Sequence, residues 1–236
     1  MAFTTGMTRL CATGVAVILS GLLSGCVNTV TGSAMRDPDA PPFETTLTES
    51  DLDQLLVPVE QLNDIVGSFD LEVTLELDEL NDNSEAVSDP ECLAAAFGAQ
   101  ELVYGDTGWT ALRDQIVREP GEDNAHWIEQ AVVLYPSSDE AREFFDTSQA
   151  TWDNCVGSIV TYNQDNQPLE WAVSEVTAEE TTISQMSTPE GAPSGGCHHA
   201  LSVASNVVVE TWACGDDIVD QASEIAGEIV ANIEKI

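Results

Sequence analysis

Positive charge is almost missing from this 236-residue chain: six Lys+Arg stand against 42 Asp+Glu, a formal charge of −36, and Lys235 is the single lysine. So acidic a surface repels phosphate backbones and anionic head groups, which excludes nucleic acid as a partner. It favours cations or basic peptides, although solubility in a salty medium accounts for the same composition. Histidine is also scarce, limited to His126, His198 and His199. No GxSxG elbow, HExxH helix, P-loop or GxGxxG fingerprint occurs. Carboxylates are plentiful enough for a paired-acid glycosidase, but nothing singles out a pair. The acidic stretch Glu76 to Asp89 lacks the spaced DxDxDG loop that would hold calcium. Neither catalysis nor a metal or other cofactor is expected.

Long apolar runs are absent as well. The longest, Leu10 to Leu23, follows a short segment carrying only Arg9 and has the length of a signal peptide rather than a membrane span. It ends in Leu23-Ser24-Gly25-Cys26, the lipobox pattern, in which diacylglycerol is attached to the Cys sulfur and the chain is cut before it. An ordinary cleaved signal or an uncleaved anchor is the plainer alternative. Residues 1–25 are therefore expected to be a lipoprotein signal peptide, and Cys26 the lipidation site on the outer face of the cell membrane. Residues 26–47, polar with three prolines and no period, read as a disordered tether.

The domain is expected over 48–236, long enough to bury a core without a metal or cofactor. Thr48-Glu49-Ser50-Asp51 opens a helical stretch. Pro58 starts a second helix that stops at Gly67, with Leu62, Ile65 and Val66 on one face. Phe69 to Asp78 alternates apolar and polar, which predicts a strand with one buried and one wet face. A helix runs from Asp89-Pro90 towards Tyr104, broken near Gly98. Strands follow at 109–119 and 125–135 around the turn Glu119-Pro120-Gly121. Ser137 and Glu140 form a capping box for a helix that buries Ala141, Phe144, Phe145 and Trp152 and ends near Cys155. Strands are predicted near 157–163, 168–176 and 180–187, then a loop, a hairpin over 197–214 and a last helix from about 217. That helix carries Ile218, Ala222, Ile225, Ile229 and Ile233 on one stripe. Helices and antiparallel strands mixed without βαβ alternation make an α+β fold.

Six cysteines are present. Cys11 leaves with the signal, Cys26 takes the lipid, and an even set remains outside the membrane: Cys92, Cys155, Cys197 and Cys214. With Ser205-Asn206 as a two-residue turn, Cys197 falls opposite Cys214 at a non-hydrogen-bonded site, where Cα atoms approach to about 4.5 Å and a disulfide fits. Asn206 is the residue suited to the left-handed region. Cys92 must then pair with Cys155. A metal site built from Cys197, His198, His199 and Cys214 is the rival, but neighbours on a strand point to opposite faces, so Cys197 and His198 cannot both reach one ion.

Asp89-Pro90-Glu91-Cys92-Leu93, Gly108-Trp109-Thr110-Ala111-Leu112-Arg113, Arg118-Glu119-Pro120, Gln130 to Pro136, Phe144-Phe145, Trp152-Asp153-Asn154-Cys155, Cys197 to Leu201 and Asn206 to Val209 together resemble the PknH-like extracellular domain. This is a sensor domain found outside mycobacterial serine/threonine kinases and alone in actinobacterial lipoproteins. The resemblance covers roughly 50–234. It implies a central antiparallel sheet flanked by helices, the same two disulfides, and a cleft for a ligand. The best-matched stretch offers Trp109, Arg113, Arg118 and Trp127 as cleft residues; the plainer reading is core for each Trp and a carboxylate partner for each Arg. The expected function is a non-catalytic ligand-binding or sensing module, anchored to the membrane through Cys26, for a small molecule, lipid or peptide. The alternative is a structural or partner-docking envelope protein whose acidic surface meets basic peptides or divalent cations.

Overall fold

The computed structural model describes residues 46–121, 124–164, 167–192 and 194–236. The expected signal peptide, the expected lipidation site Cys26 and the expected tether up to residue 45 lie outside the described residues. Leu47, at the far end of the tether, is buried, its backbone N–H and C=O both held by the Asn206 side chain.

The elements in chain order are α1 (Val59–Val66), β1 (Glu72–Leu77), α2 (Glu101–Tyr104), β2 (Ala111–Arg118), β3 (Trp127–Leu134), α3 (Ser138–Cys155), β4 (Ile159–Gln164), β5 (Gln167–Val173), β6 (Thr177–Ala178), β7 (Thr182–Pro189), β8 (Gly196–Ala204), β9 (Val207–Gly215) and α4 (Gln221–Ile233). Two further stretches predicted as helical, Glu49–Gln54 and Pro90–Ala95, are 3-10 turns. The strands form one antiparallel sheet in the order β1-β2-β3-β9-β8-β7-β5-β4, with β6 pairing β7. The α+β architecture expected from the sequence is thus present.

Both faces of the central strands are covered. Alternate residues Val207, Val209 and Ala213 of β9 pack with Leu62 of α1 and Ala222, Ile225, Ile229 and Ile233 of α4. The intervening Val208, with Leu201 and Val203 of β8, packs with Ala141, Phe144, Phe145 and Trp152 of α3. The predicted stripe of α4 is therefore its buried stripe, and α3 starts where the capping box placed it: Ser137 Oγ accepts from the Glu140 N–H at 3.3 Å. Replacing that serine (Ser137→Ala) should cost about 1 kcal/mol, read as a lower urea midpoint at unchanged slope. Gly67 closes α1 with φ +74°, a backbone conformation that favours glycine.

Two expectations need correction. β1 has no dry face: Val73 and Leu75 are 39 % and 43 % exposed, and Phe69 before the strand is 95 % exposed. Among the described residues it is an edge strand, paired to β2 through a register shift between Val73 and Leu75, and its outer apolar side chains are left uncovered. In the β8–β9 turn the left-handed residue is Ser205, φ +51°, not Asn206. Asn206 is instead buried, and its amide also donates to the Tyr135 carbonyl at 2.8 Å.

The hairpin register is as predicted, with Ala204 facing Val207 and Cys197 facing Cys214. Disulfides join Cys197 to Cys214, with Cα atoms 4.0 Å apart, and Cys92 to Cys155. The β2–β3 connection is held by Glu119, whose carboxylate meets the His126 N–H and ring and the Ser68 hydroxyl. Burial works against its charge, but these hydrogen bonds win and hold it down to about 2.

Candidate ligand-binding site

Strand pairing lines up three rows of side chains on the sheet face that carries α3. The first is Asp114, Ala131, Glu210, Leu201 and Ile183; the second is Ile116, Glu129, Trp212, His199 and Gln185; the third is Arg118, Trp127, Cys214, Cys197 and Ser187. The first row is roofed by α2 and α3. Over the third row and part of the second the roof is incomplete, and a cavity of about 490 Å³ remains. That is within the usual size of a small-molecule site. Its walls come from Phe97, Tyr162 and Trp171, its floor from Trp127, Trp212, Glu129 and the Cys197–Cys214 bridge, and Arg118 also borders it. Tyr162 stacks with Trp171 at 6.0 Å between ring centroids and meets Phe97 edge-on at 5.6 Å.

Beside the cavity the first and second rows hold a cluster of buried polar groups. His199 is fully buried between two indoles, 4.0 Å from Trp152 and 3.9 Å from Trp212 by ring centroids. Burial lowers its basicity despite the attraction of Glu210, so the neutral ring donates from Nε2 to Glu210 Oε1 at 2.9 Å. The other oxygen of Glu210 accepts from Tyr104 OH at 2.7 Å and from the Ala99 N–H at 3.0 Å. Glu129 and Asp114 have no such shell. Burial, then the neighbouring Asp114 and Glu210, push Glu129 well above the carboxylate range. Burial and Glu210 raise Asp114 to about 7, although Asn81 donates to it.

Among the described residues, two buried polar atoms in the cavity lining, Trp212 Nε1 and Ser187 Oγ, have no hydrogen-bond partner. An unpaired buried donor costs about 1–3 kcal/mol, a cost that a ligand accepting from it would offset. No group of three or more His, Cys, Asp or Glu among the described residues is arranged to hold a metal ion.

Of the four residues singled out from sequence, the fold brings Arg118 and Trp127 together, directly opposite one another on β2 and β3. Trp109 and Arg113 are not with them. Trp109 packs against the α3-side core. Arg113 points to the other sheet face, where it pairs with Asp53 at 2.7 Å and Glu49 at 3.5 Å. Sequence reasoning missed Glu129, Trp212, Tyr162 and Trp171. Once Arg118 is placed opposite Trp127, Glu129 follows two residues along the same face; the rest come from distant strands.

The profile of the PknH-like extracellular domain matches residues 47–232. The chain is 35 % identical over 222 residues to the serine/threonine-protein kinase PknH of Mycobacterium bovis, covering 94 % of this chain and 37 % of that protein. It is 37 % identical over 189 residues to PknH of Mycobacterium tuberculosis, covering 80 % of this chain and 30 % of that one. It thus spans about a third of the length of these kinases. The crystal structure of the extracellular domain of PknH from Mycobacterium tuberculosis superposes with a TM-score of 0.78 at 36 % identity, covering 82 % of this chain and all of that one. What matches is the extracellular, non-kinase portion, and the chain belongs to the PknH-like extracellular domain family.

Proposed function

We propose that this protein is a lipid-anchored, non-catalytic binding module of the cell envelope. Residues 1–25 direct export, Cys26 carries the acyl chains, and the domain captures a small ligand in the aromatic cavity bordered by Arg118 and Trp127. The observation that carries this reading is the cavity itself: about 490 Å³, aromatic on its walls, with Trp212 Nε1 and Ser187 Oγ in its lining lacking a hydrogen-bond partner among the described residues. A cavity filled by its own side chains would favour docking of a partner on the acidic surface instead.

Mass spectrometry of the full chain extracted from membranes of an actinobacterial host tests both halves. The expected mature N-terminus is acylated Cys26, and a small molecule should leave the protein on denaturation. Trp171→Ala, which removes a cavity wall without touching the buried polar cluster, should lower the recovered ligand at least tenfold. An unacylated N-terminus would sink the anchor. Equal recovery from the variant, or nothing recovered from either protein, would sink the binding site.

A further inference from the structure

We propose that the cavity takes a compact zwitterion, its organic cation enclosed by the aromatic walls against Glu129 and its anionic group on Arg118. The proposal rests on the ligand-capture reading and assigns the chemistry of the ligand.

Arg118 and Glu129 lie on the same sheet face as diagonal neighbours, since Arg118 faces Trp127 and Glu129 faces Ile116. Diagonal positions are about 7–8 Å apart, well within reach of these two long side chains. Yet no ion pair joins them among the described residues. The Arg118 Nε donates outward to Thr74 Oγ1 at 3.3 Å. The Glu129 carboxyl lies over the Gly98 backbone, so close that a Cβ there would come within 2.7 Å of Oε1. One cavity therefore presents a guanidinium and a carboxyl that, among the described residues, have no ion-pair partner and are separated from each other.

The acid end lacks a cation. Asp114 of β2, Glu210 of β9 and Glu129 of β3 gather with Tyr104 of α2 and the neutral His199 of β8, and among the described residues no lysine or arginine pairs with any of the three acids. A cation arriving beside Glu129 would favour its ionised form and displace its proton. Trp127, Trp171, Tyr162, Phe97 and Trp212 supply the π faces that attract alkylated ammonium groups, whereas a bare metal ion would find no arranged ligand set. A purely cationic ligand would leave Arg118 opposing it, and a purely anionic one would be repelled by a chain of formal charge −36. A molecule with both charges suits both ends.

The test is binding to the full-length protein in detergent, followed by tryptophan fluorescence and calorimetry. The probes are glycine betaine and glycerophosphocholine as zwitterions of short and long charge separation, choline as the cation alone, and propionate as the anion alone. At least one zwitterion should bind ten times more tightly than choline, and propionate least of all. Arg118→Gln should erase the zwitterion's advantage while leaving choline bound as before or better. Glu129→Gln should weaken both by tenfold or more. Wild-type affinity should rise from pH 5 to pH 8, because Glu129 gives up its proton to receive a cation. Glu129→Gln should flatten the part of that rise that survives Asp114→Asn. Equal affinity for choline and zwitterion, an indifferent Glu129→Gln, or no probe binding at all would overturn the inference. Should Glu129→Gln fail to fold, the probe series and Arg118→Gln decide alone. If a native ligand co-purifies and is lost in Trp171→Ala, yet is neutral or anionic, ligand capture stands and the zwitterion falls.

Discussion

Removing the Cys92–Cys155 bridge, as the double variant Cys92→Ala/Cys155→Ala, should cost about 4 kcal/mol and abolish the cavity's ability to hold its shape. The cystines are 63 residues apart in sequence, and a loop of that length gives about 4 kcal/mol on chain-entropy grounds. The bridge ties the 3-10 turn Pro90–Ala95 to the end of α3, within a small core of Val87, Leu93, Val160 and Val173. Ala95, Ala96 and Phe97, which line the cavity, follow Cys92 by three to five residues, while Val160 and Val173 line it from β4 and β5. Losing the bridge therefore frees the two sides of the cavity from each other. Cys197–Cys214 spans only 17 residues, in a hairpin whose register is already set by nine facing pairs. On the same grounds its double alanine variant should lose about 3 kcal/mol, roughly 1 kcal/mol less than the first. Urea titrations with the slope fitted for each variant measure both; equal losses would show that cross-linking the distant segments is not what the first bridge contributes.

The difference between the two bridges also shows what a sequence can reveal. The 197–214 hairpin was legible because a two-residue turn fixes every facing pair by counting, and the cysteines fell into register. Helix α3 was legible from Ser137 and Glu140, and α4 from its apolar stripe. β1 was misread because alternation identifies which side chains share a face but not whether anything covers that face. Arg113 and Arg118 were grouped because both fall in the stretch that best matches the family. They are five residues apart on one strand, an odd separation that sends them to opposite faces, so parity alone could have divided them. The buried cluster was harder. β3 is covered on both sides, so Trp127-Ile128-Glu129-Gln130 shows no alternation. Nothing local indicates that β9 inserts beside β3 and brings Trp212, His199 and Glu210 alongside it. Long-range pairing assembles that part of the site.

The buried acids beside the cavity make stability depend on pH in a way that one substitution should reveal. Asp114 is 2 % exposed and its carboxyl is raised from 3.8 to about 7 by burial and by Glu210. A group raised by folding costs nothing below its unfolded value, where both states are protonated. The cost grows as pH climbs from about 4 to about 7 and is then constant, reaching about 4 kcal/mol from a difference of roughly three pH units. Glu129, raised for the same reasons, adds a cost of the same sign. His198 and His199 oppose it: burial lowers both, His198 to about 4, so stability falls as pH drops below 6.5. Glu119, held at about 2, adds to that acid-side loss below 4.5. The wild-type domain should thus be most stable between about pH 4.5 and 6.5, and weaker at pH 8. Asp114→Asn keeps an oxygen for the Asn81 donor, now 3.2 Å from Oδ2, while removing the charge. It should stabilise the domain by about 2–4 kcal/mol at pH 8 and by almost nothing at pH 4. Thermal melts at the two pH values decide it. A variant that melts no higher than wild type at pH 8 would mean that the acids beside the cavity are already neutralised by something other than protons.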